Sequence, residues 1–123
     1  MSLYREEIIE RWRYPRHRGI MPSPDAQGER VNALCGDEIT LFLRLSADKK
    51  IVVEMRFTGE GCALATASAD MLCEAIEGSA MDEARQFSAE DLLRLYGEPP
   101  TPGRLSCVLL CHEAFQRALA ALF

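Results

Sequence analysis

This chain of 123 residues contains five cysteines, more thiols than the packing of a small protein requires. Neither a CxxC motif nor a paired CxxC…CxxC pattern is present, so the chain lacks the signature of a zinc ribbon or a thioredoxin-type redox pair. Three of the cysteines, Cys35, Cys62 and Cys107, lie at the edges of segments rich in glycine or proline. Thiols in such positions can bind a metal or carry a persulfide. We therefore predict a metal or sulfur site that is assembled from segments distant in sequence.

Two of these cysteines are placed where the thiolate form is favoured. Cys62 follows the Gly-Glu-Gly segment 59–61, where a strand is expected to end and a helix to begin. Cys107 follows a proline- and glycine-rich turn and Arg104, and we expect it near the first turn of the last helix. The unpaired N–H groups and the dipole at a helix N-terminus stabilise a sulfur anion. Both settings therefore favour the form of cysteine that binds metals.

The third cysteine, Cys35, precedes Gly36 and Asp37 at a junction between a loop and a strand. Glycine allows a tight turn there, which brings a thiol and a carboxylate close together. These residues could therefore form half of a metal site. Two other interpretations stay open at this point. Each cysteine can be a small buried hydrophobic residue, and Asp37 can be a turn residue at the start of a strand.

The remaining two cysteines and the two histidines are interpreted differently. Cys73 falls on the apolar face of a predicted helix, which indicates core packing. Cys111 lies four residues after Cys107 and shares a helix face with it. Core packing is favoured for Cys111, and an auxiliary thiol near the site is the alternative. His17 and His112 are interpreted as surface residues rather than ligands.

The elements that position these residues follow from the spacing of apolar side chains. Residues 3–13 predict an N-terminal amphipathic helix. Its apolar face is expected to contain Leu3, Ile8, Ile9 and Trp12. Residues 16–30 are basic and then rich in Pro, Gly, Ser and Asp, which is typical of a surface loop that wraps a domain.

Strands and further helices follow that loop. Residues 38–46 and 51–59 alternate between apolar and polar around a polar turn and predict a β-hairpin, to which residues 29–34 add a third strand. Helices are predicted at 62–77, 79–87, 88–96 and from about Leu105 to the end. Ser88 and Asp91 resemble a capping box at the start of the third of these helices. We predict one α+β domain that spans residues 1–123.

The composition restricts the possible functions. A hydrophobic content of 48% and a charged content of 27% are those of a soluble globular protein, and no stretch approaches the ~20 apolar residues of a membrane span. A net charge of -5 disfavours nucleic acid as a partner, because binding to phosphates depends on Lys and Arg. The charged N-terminal segment does not resemble a secretory signal, so we expect a cytoplasmic protein. Reducing conditions there make disulfides a poor explanation for the thiols.

On these residues the chain resembles the IscU/SufU/NifU-N-terminal family of iron–sulfur scaffolds over nearly its whole length. The matching blocks, in order, are Leu3-Tyr4-Arg5, Tyr14-Pro15-Arg16 with Gly19, Asn32 with Cys35-Gly36-Asp37, Phe57-Thr58-Gly59-Glu60-Gly61-Cys62-Ala63, Ala67-Ser68-Ala69 and Arg104-Leu105-Ser106-Cys107. The resemblance implies a three-stranded antiparallel sheet covered by helices. It also implies that zinc or a nascent iron–sulfur cluster is held by Cys35, Asp37, Cys62 and Cys107.

In function, the resemblance implies a carrier that is not an enzyme. Such a scaffold accepts sulfur as persulfide from a cysteine desulfurase, binds iron and transfers the nascent cluster to apo iron–sulfur proteins. One carboxylate beside three thiolates suits this role, because the weaker oxygen ligand leaves the metal exchangeable. Zinc could occupy the same tetrahedral set. Arg104 and Cys111 are candidate auxiliary residues of the site.

Two alternatives stay open. The first is a zinc-dependent sulfurtransferase of the SufU type, which the opening Leu-Tyr-Arg and Arg104 favour. The interval between Cys62 and Cys107, 107 − 62 = 45 residues, argues against it, because it resembles the shorter interval of IscU-type chains. Yet Ser106 stands where IscU-type chains have a histidine. The second alternative is a structural zinc module that binds another protein.

Overall fold

The computed structural model of the protein describes residues 3–34, 36–97 and 99–122. The strands are β1 (Ala26–Asn32), β2 (Asp37–Leu45) and β3 (Val52–Thr58). The helices are α1 (Leu3–Arg13), α2 (Ala63–Ile76), α3 (Met81–Gln86), α4 (Ala89–Tyr96) and α5 (Pro102–Ala120). The α+β class that the sequence predicts is therefore confirmed.

The three strands form one antiparallel sheet in the order β1-β2-β3, which confirms the predicted sheet. Strands β2 and β3 are the predicted hairpin, and Thr40 lies opposite Thr58. In the β1–β2 pair, Asn32 at the end of β1 lies opposite Asp37 at the start of β2. The short segment between these two residues contains Cys35, which is not among the described residues.

The predicted position of the third strand is wrong. Strand β1 begins and ends earlier than the predicted range 29–34. Residues 26–30, which the sequence predicts as the end of a loop, therefore belong to this strand. The inward-facing residues of β1 include Ala26 and Gly28, which are too small to give a clear apolar pattern. Helix α5 packs so closely on this strand that a Cβ at Gly28 would lie 2.1 Å from the carbonyl oxygen of Ala114. Close packing therefore removes the signal by which a strand is recognised in sequence.

Helices α2 and α5 cover one face of the sheet and form the core with it. The apolar face predicted for α2 is confirmed, because residues 65–73 and Ile76 are buried and Leu64 is half-buried. Large side chains that are fully buried include Phe57, Phe115, Ile39, Leu41, Leu43, Met55, Leu72, Leu92 and Leu110. Each contributes about 1.5–3 kcal/mol on burial. This core gives the fold a source of stability that is independent of any metal.

Helix α1 packs on α2 with a different face from the one that the sequence predicts. Ile8 is buried, but Ile9 and Trp12 are 37% and 46% exposed, so the predicted apolar face is wrong for these two residues. Arg11 instead donates a hydrogen bond to the buried carboxylate of Asp70 in α2 at 2.8 Å. This ion pair, rather than apolar contact alone, fixes the rotation of α1.

The segment that follows α1 runs beside β3. The N–H group of Gly19 donates to the carbonyl of Phe57, and the N–H group of Phe57 donates to the carbonyl of His17, both at 2.9 Å. The prediction of a solvated His17 is wrong, because its side chain is only 13% exposed. Its backbone N–H donates to Asp70 at 2.9 Å, and its Nδ1 lies 3.3 Å from the same oxygen. The buried carboxylate therefore holds this segment as well as α1.

Boundaries near the C-terminus differ slightly from prediction. The proline-rich turn ends α4 at Tyr96 as expected, but α5 begins at Pro102 rather than at about Leu105. Proline suits the first turn of a helix, because its φ is already helical and its missing N–H has no partner to lose there. The capping box of Ser88 and Asp91 is confirmed by two reciprocal hydrogen bonds of 3.1 and 2.9 Å. Within the described ranges, no helix has the length and apolar character needed to cross a bilayer.

Candidate metal centre

Three residues from three elements meet at one edge of the molecule. Asp37 is the first residue of β2, Cys62 is the N-cap of α2, and Cys107 lies in α5. Two hydrogen bonds join the first two segments. The N–H of Glu38 donates to the carbonyl of Glu60 at 2.8 Å, and the N–H of Cys62 donates to Asp37 Oδ1 at 3.2 Å. The starts of β2 and α2 therefore form a fixed pair, beside which α5 places its thiol.

Glycine permits the close approach of these two segments. Gly59 has a φ of 140°, which side chains of L-residues rarely adopt, and a Cβ there would lie 2.1 Å from the carbonyl oxygen of Glu38. A Cβ at Gly61 would in turn lie 3.5 Å from the carboxyl carbon of Asp37. The backbone contact with β2 therefore requires glycine at position 59, and Gly61 keeps the approach to Asp37 open.

The potential ligand atoms of the site are close together. One carboxylate oxygen of Asp37 and the sulfurs of Cys62 and Cys107 all lie within 4.8 Å of one another. Thiolate–zinc bonds of about 2.3 Å in a tetrahedral site place neighbouring sulfurs about 4 Å apart. Cys62 is exposed, whereas Asp37 and Cys107 are buried. The three groups thus form a site that is open to the surface on one side.

The carboxylate of Asp37 has one oxygen that lacks a partner. Asp37 is only 6% exposed, and its Oδ1 accepts a hydrogen bond from the backbone N–H of Cys62. Oδ2 is buried and has no hydrogen-bond partner within the described part of the chain. A buried oxygen without a partner costs about 1–3 kcal/mol, so its position calls for a ligand. Together with two thiols, this oxygen fits the donor set of zinc or iron.

The helix ends affect the two thiols differently. Cys62 precedes the first turn of α2, and neither a side-chain cap nor an acidic residue is present in that turn. Cys62 therefore lies at the positive end of the dipole of α2. Cys107 is the sixth residue of α5, because the helix begins at Pro102, so it lies in the second turn rather than near the first as predicted. The dipole therefore acts more directly on Cys62.

The other predicted site residues are placed as follows. Cys35 lies outside the described residues, so its membership of the site stays a prediction. Arg104 is exposed in the first turn of α5 and lines a shallow surface cavity with Leu64 and Tyr96. Its auxiliary role also stays a prediction.

Cys73 and Cys111 are fully buried in the core, where the sequence favours packing for both. The Cys111 sulfur lies 3.6 Å from Ser68 Oγ and 3.7 Å from the carbonyl oxygen of Val108. Burial raises the pKa of Cys111 to about 12 and raises the pKa of Cys73 well above the usual value of a thiol. The four described cysteines form no disulfide. Cys73 and Cys111 are therefore held as neutral thiols.

Two polar residues have more contacts than the sequence indicates. His112 is half-buried, and its Nε2 lies 3.1 Å from the carbonyl oxygen of Phe87, so the prediction of a plain surface residue is wrong. The sequence pattern indicates no role for Asp70, although its carboxylate accepts hydrogen bonds from the side chain of Arg11 and from the backbone N–H of His17. A lone carboxylate inside the apolar run of α2 is the signal that could have identified it.

Comparison with known proteins identifies relatives of the NifU, SufU and IscU types. The NifU-like N terminal domain model matches residues 3–123. The zinc-dependent sulfurtransferase SufU of Bacillus subtilis is 29% identical over 136 residues, which cover 97% of this chain and 90% of SufU. The iron–sulfur cluster assembly enzyme IscU of Drosophila melanogaster is 30% identical over 123 residues, which cover 98% of this chain and 78% of IscU. Other relatives are longer, and the chain spans only 23% and 38% of two of them.

A solved structure has the same fold. The crystal structure of FiSufU from Fervidobacterium islandicum, assigned as an iron–sulfur cluster assembly scaffold protein for the SUF system, has a TM-score of 0.81 and 26% identity. The match covers 97% of this chain and 96% of FiSufU. The resemblance inferred from the cysteine blocks is thereby confirmed, and the chain belongs to the family of the NifU-like N terminal domain.

Proposed function

We propose that the protein is an iron–sulfur cluster assembly scaffold that accepts sulfur from a cysteine desulfurase, binds iron and passes the nascent cluster to apo-proteins. The observation that carries this proposal is the buried carboxylate of Asp37: one of its oxygens lies within 4.8 Å of two cysteine sulfurs, and its Oδ2 has no hydrogen-bond partner in the described part of the chain. An oxygen in that position is stabilised by a cation, and thiols beside it select iron or zinc. The likeness to IscU supports the same function.

Sulfur transfer to this site begins with a thiolate. Cys62 is exposed and lies at a helix N-terminus, so we propose it as the thiolate that meets the persulfide of the desulfurase. The thiolate attacks the outer sulfur of the donor persulfide, the S–S bond of the donor breaks, and the donor cysteine leaves as a thiolate. An external electron donor supplies the two electrons that convert sulfane sulfur to sulfide.

The iron cargo is then held by the proposed set of three thiolates and one carboxylate. In this proposal the ligands are Cys35, Asp37, Cys62 and Cys107. The oxygen of Asp37 is the hardest and weakest of the four ligands for a soft metal, so it is the group that releases first when the cluster moves to an acceptor. We propose this carrier role, without turnover of a substrate, for residues 1–123 acting as one domain in the cytoplasm.

A zinc-dependent sulfurtransferase is the second candidate. The likeness to SufU favours it, and zinc would be held by the same four residues. Bound zinc supplies charge that stabilises thiolates, while the exchange of sulfur takes place on a cysteine. A purely structural zinc module is less well supported, because the apolar core under α2 and α5 does not include the site.

Anaerobic reconstitution distinguishes these candidates. The metal-free protein is incubated with ferrous iron and sulfide, and visible charge-transfer absorption is recorded for the wild type, Cys107→Ala and Cys111→Ala. A scaffold gives a coloured cluster in the wild type and Cys111→Ala but not in Cys107→Ala. A sulfurtransferase gives no stable colour, whereas its zinc-loaded form retains zinc and takes up persulfide from a desulfurase. If Cys111→Ala loses metal as completely as Cys107→Ala, the proposed ligand set is wrong.

A further inference from the structure

Asn32 connects the two segments that flank Cys35 and Cys107. Its carbonyl oxygen accepts a hydrogen bond from the N–H of Gly36 at 2.8 Å, and its side-chain Oδ1 accepts one from the N–H of Leu34 at 3.1 Å. Its Nδ2 donates to the hydroxyl oxygen of Ser106 in α5 at 3.1 Å. One residue therefore binds both ends of the turn between β1 and β2 and ties that turn to α5.

Hydrogen-bond chemistry fixes the orientation of this amide. The N–H of Leu34 can only donate, so it must face the oxygen of the Asn32 side chain, and the NH₂ group is thereby directed to Ser106. A serine or alanine at position 32 could not make both contacts. A carboxamide joins an acceptor and a donor in one rigid group, which is what this position requires.

The contacts of Asn32 lie next to the proposed ligands in sequence. Leu34 immediately precedes Cys35, Ser106 immediately precedes Cys107, and Asn32 itself lies opposite Asp37 in the β1–β2 pair. Groups that hydrogen-bond to metal ligands typically change metal affinity by about 10–100-fold when they are removed, and Asn32 acts through the residues next to those ligands, so its effect should fall at the lower end of this range. A shift of the turn relative to α5 would change the distance between ligands on the two segments.

We propose that Asn32 is a positioning residue of the metal centre: its bond to Ser106 holds the turn before β2 against α5 and so sets how tightly the site retains its metal. This inference rests on the proposed function, since it assumes that the site binds a metal. It adds a role for Ser106, the residue at which this chain departs from the histidine of IscU-type chains.

The chain offers a matched control for this tie. Arg30 Nε lies 3.0 Å from Glu113 Oε2, so the same strand and the same helix are joined by a second side-chain contact. Both contacts line one surface cavity of about 400 Å³ between β1 and α5. The ion pair is exposed and lies farther along the chain from Asp37 and Cys107. Removing it loosens the strand from the helix without touching the turn.

The test measures the release of zinc from the loaded protein to an excess of a coloured chelator. We expect Asn32→Ala and Ser106→Ala to release zinc about 10-fold faster than the wild type. Glu113→Ala should stay within about twofold of the wild type, since its ion pair with Arg30 does not contact the turn before β2. Ser106→Thr retains a hydroxyl and should restore slow release. The double variant with Asn32→Ala and Ser106→Ala should release zinc no faster than Asn32→Ala alone, because the two substitutions remove the same hydrogen bond between these residues.

A second measurement is independent of metal. In the metal-free protein, amide hydrogen exchange at Leu34 should accelerate in Asn32→Ala, while Ser106→Ala leaves this bond in place. Zinc release from Ser106→Ala at the rate of Glu113→Ala, with a folded protein by circular dichroism, would overturn the role of Asn32 and leave the metal site standing. A wild-type protein that retains no zinc or iron would instead overturn the proposed function, and this inference with it.

Discussion

Helices α2 and α5 each carry one cysteine near the candidate metal centre and another deeper in the core. Cys62 and Cys107 come within reach of Asp37 at the edge of the molecule. Cys73 and Cys111 lie on the same two helices but are fully buried, with raised pKa values caused first by burial. The sequence already favours core packing for Cys73 and Cys111, and their burial confirms it. Depth in the fold separates sulfurs that lie within reach of a metal from fully buried sulfurs that stay neutral thiols.

Two buried carboxylates differ in the same way. Asp70 in α2 is 1% exposed, and both of its oxygens are satisfied, one by Arg11 and the other by His17. Asp37 is also buried, but one of its oxygens has no partner in the described part of the chain. A carboxylate with all its partners supplied by the protein stabilises the fold. A buried carboxylate with one oxygen that lacks a hydrogen-bond partner can bind a ligand through that oxygen.

The largest effect is expected at the satisfied carboxylate. Asp70→Ala should lower the free energy of unfolding of the metal-free protein by about 3 kcal/mol, because it leaves Arg11 without its buried partner. Urea denaturation measures this loss. Glu74 also contacts Arg11 but is 48% exposed, and Glu74→Ala should cost less than about 1 kcal/mol. Equal effects of the two substitutions would contradict the distinction drawn for Asp70.

A feature of this fold could be predicted from the sequence when the residues that produce it lie close together along the chain. Strands β2 and β3 were predictable because their alternation is local. The convergence of the segments around Asp37 and Cys62 came from their motifs rather than from periodicity. The ion pair of Arg11 with Asp70 was not predictable, since 59 residues separate the partners and neither has a local pattern. Contacts between polar residues that are distant in sequence therefore could not be predicted from the sequence.

The second effect is a loss of stability at alkaline pH. The pKa of Cys111 is raised by burial from 9.0 to about 12, so above pH 9 the unfolded chain loses a thiol proton that the folded chain retains. Fewer protons on the unfolded state mean that stability falls as pH rises, by about 1.4 kcal/mol per unit for one such thiol between pH 9 and 12. Below pH 9 the contribution is fully present.

Cys111→Ala tests this assignment against the wild type. The difference in unfolding free energy between the two proteins should change by about 1.4 kcal/mol between pH 7 and pH 10, in favour of the variant at high pH. Burial is the largest cause of the raised pKa of Cys73 and is present in both proteins, so Cys73 stays protonated in both folded states at pH 10 and does not contribute to the difference. A difference that is independent of pH would mean that the Cys111 thiol ionises in the folded protein as readily as in the unfolded one.

At the incomplete carboxylate, a smaller effect on stability is expected. Asp37→Ala removes the single hydrogen bond to Cys62 together with an unsatisfied oxygen, so the metal-free protein should change by no more than about 1 kcal/mol. Transfer of a reconstituted cluster to an apo-acceptor should nevertheless be slower than in the wild type, because the weakest ligand is gone and thiolates hold the metal. Unchanged transfer would remove Asp37 from the release step.

The smallest effect is expected for Cys111→Ala at neutral pH. The sulfur is fully buried, one helical turn beyond Cys107, and its contacts with Ser68 and Val108 are long and weak. Its removal leaves a small cavity that should cost at most about 1 kcal/mol in urea denaturation. Zinc content, measured by elemental analysis, should equal that of the wild type, whereas Cys107→Ala should lose its zinc and keep its fold. A loss of zinc in Cys111→Ala would show that the deeper thiol reaches the metal, and the separation of the two cysteine pairs by depth would then fail.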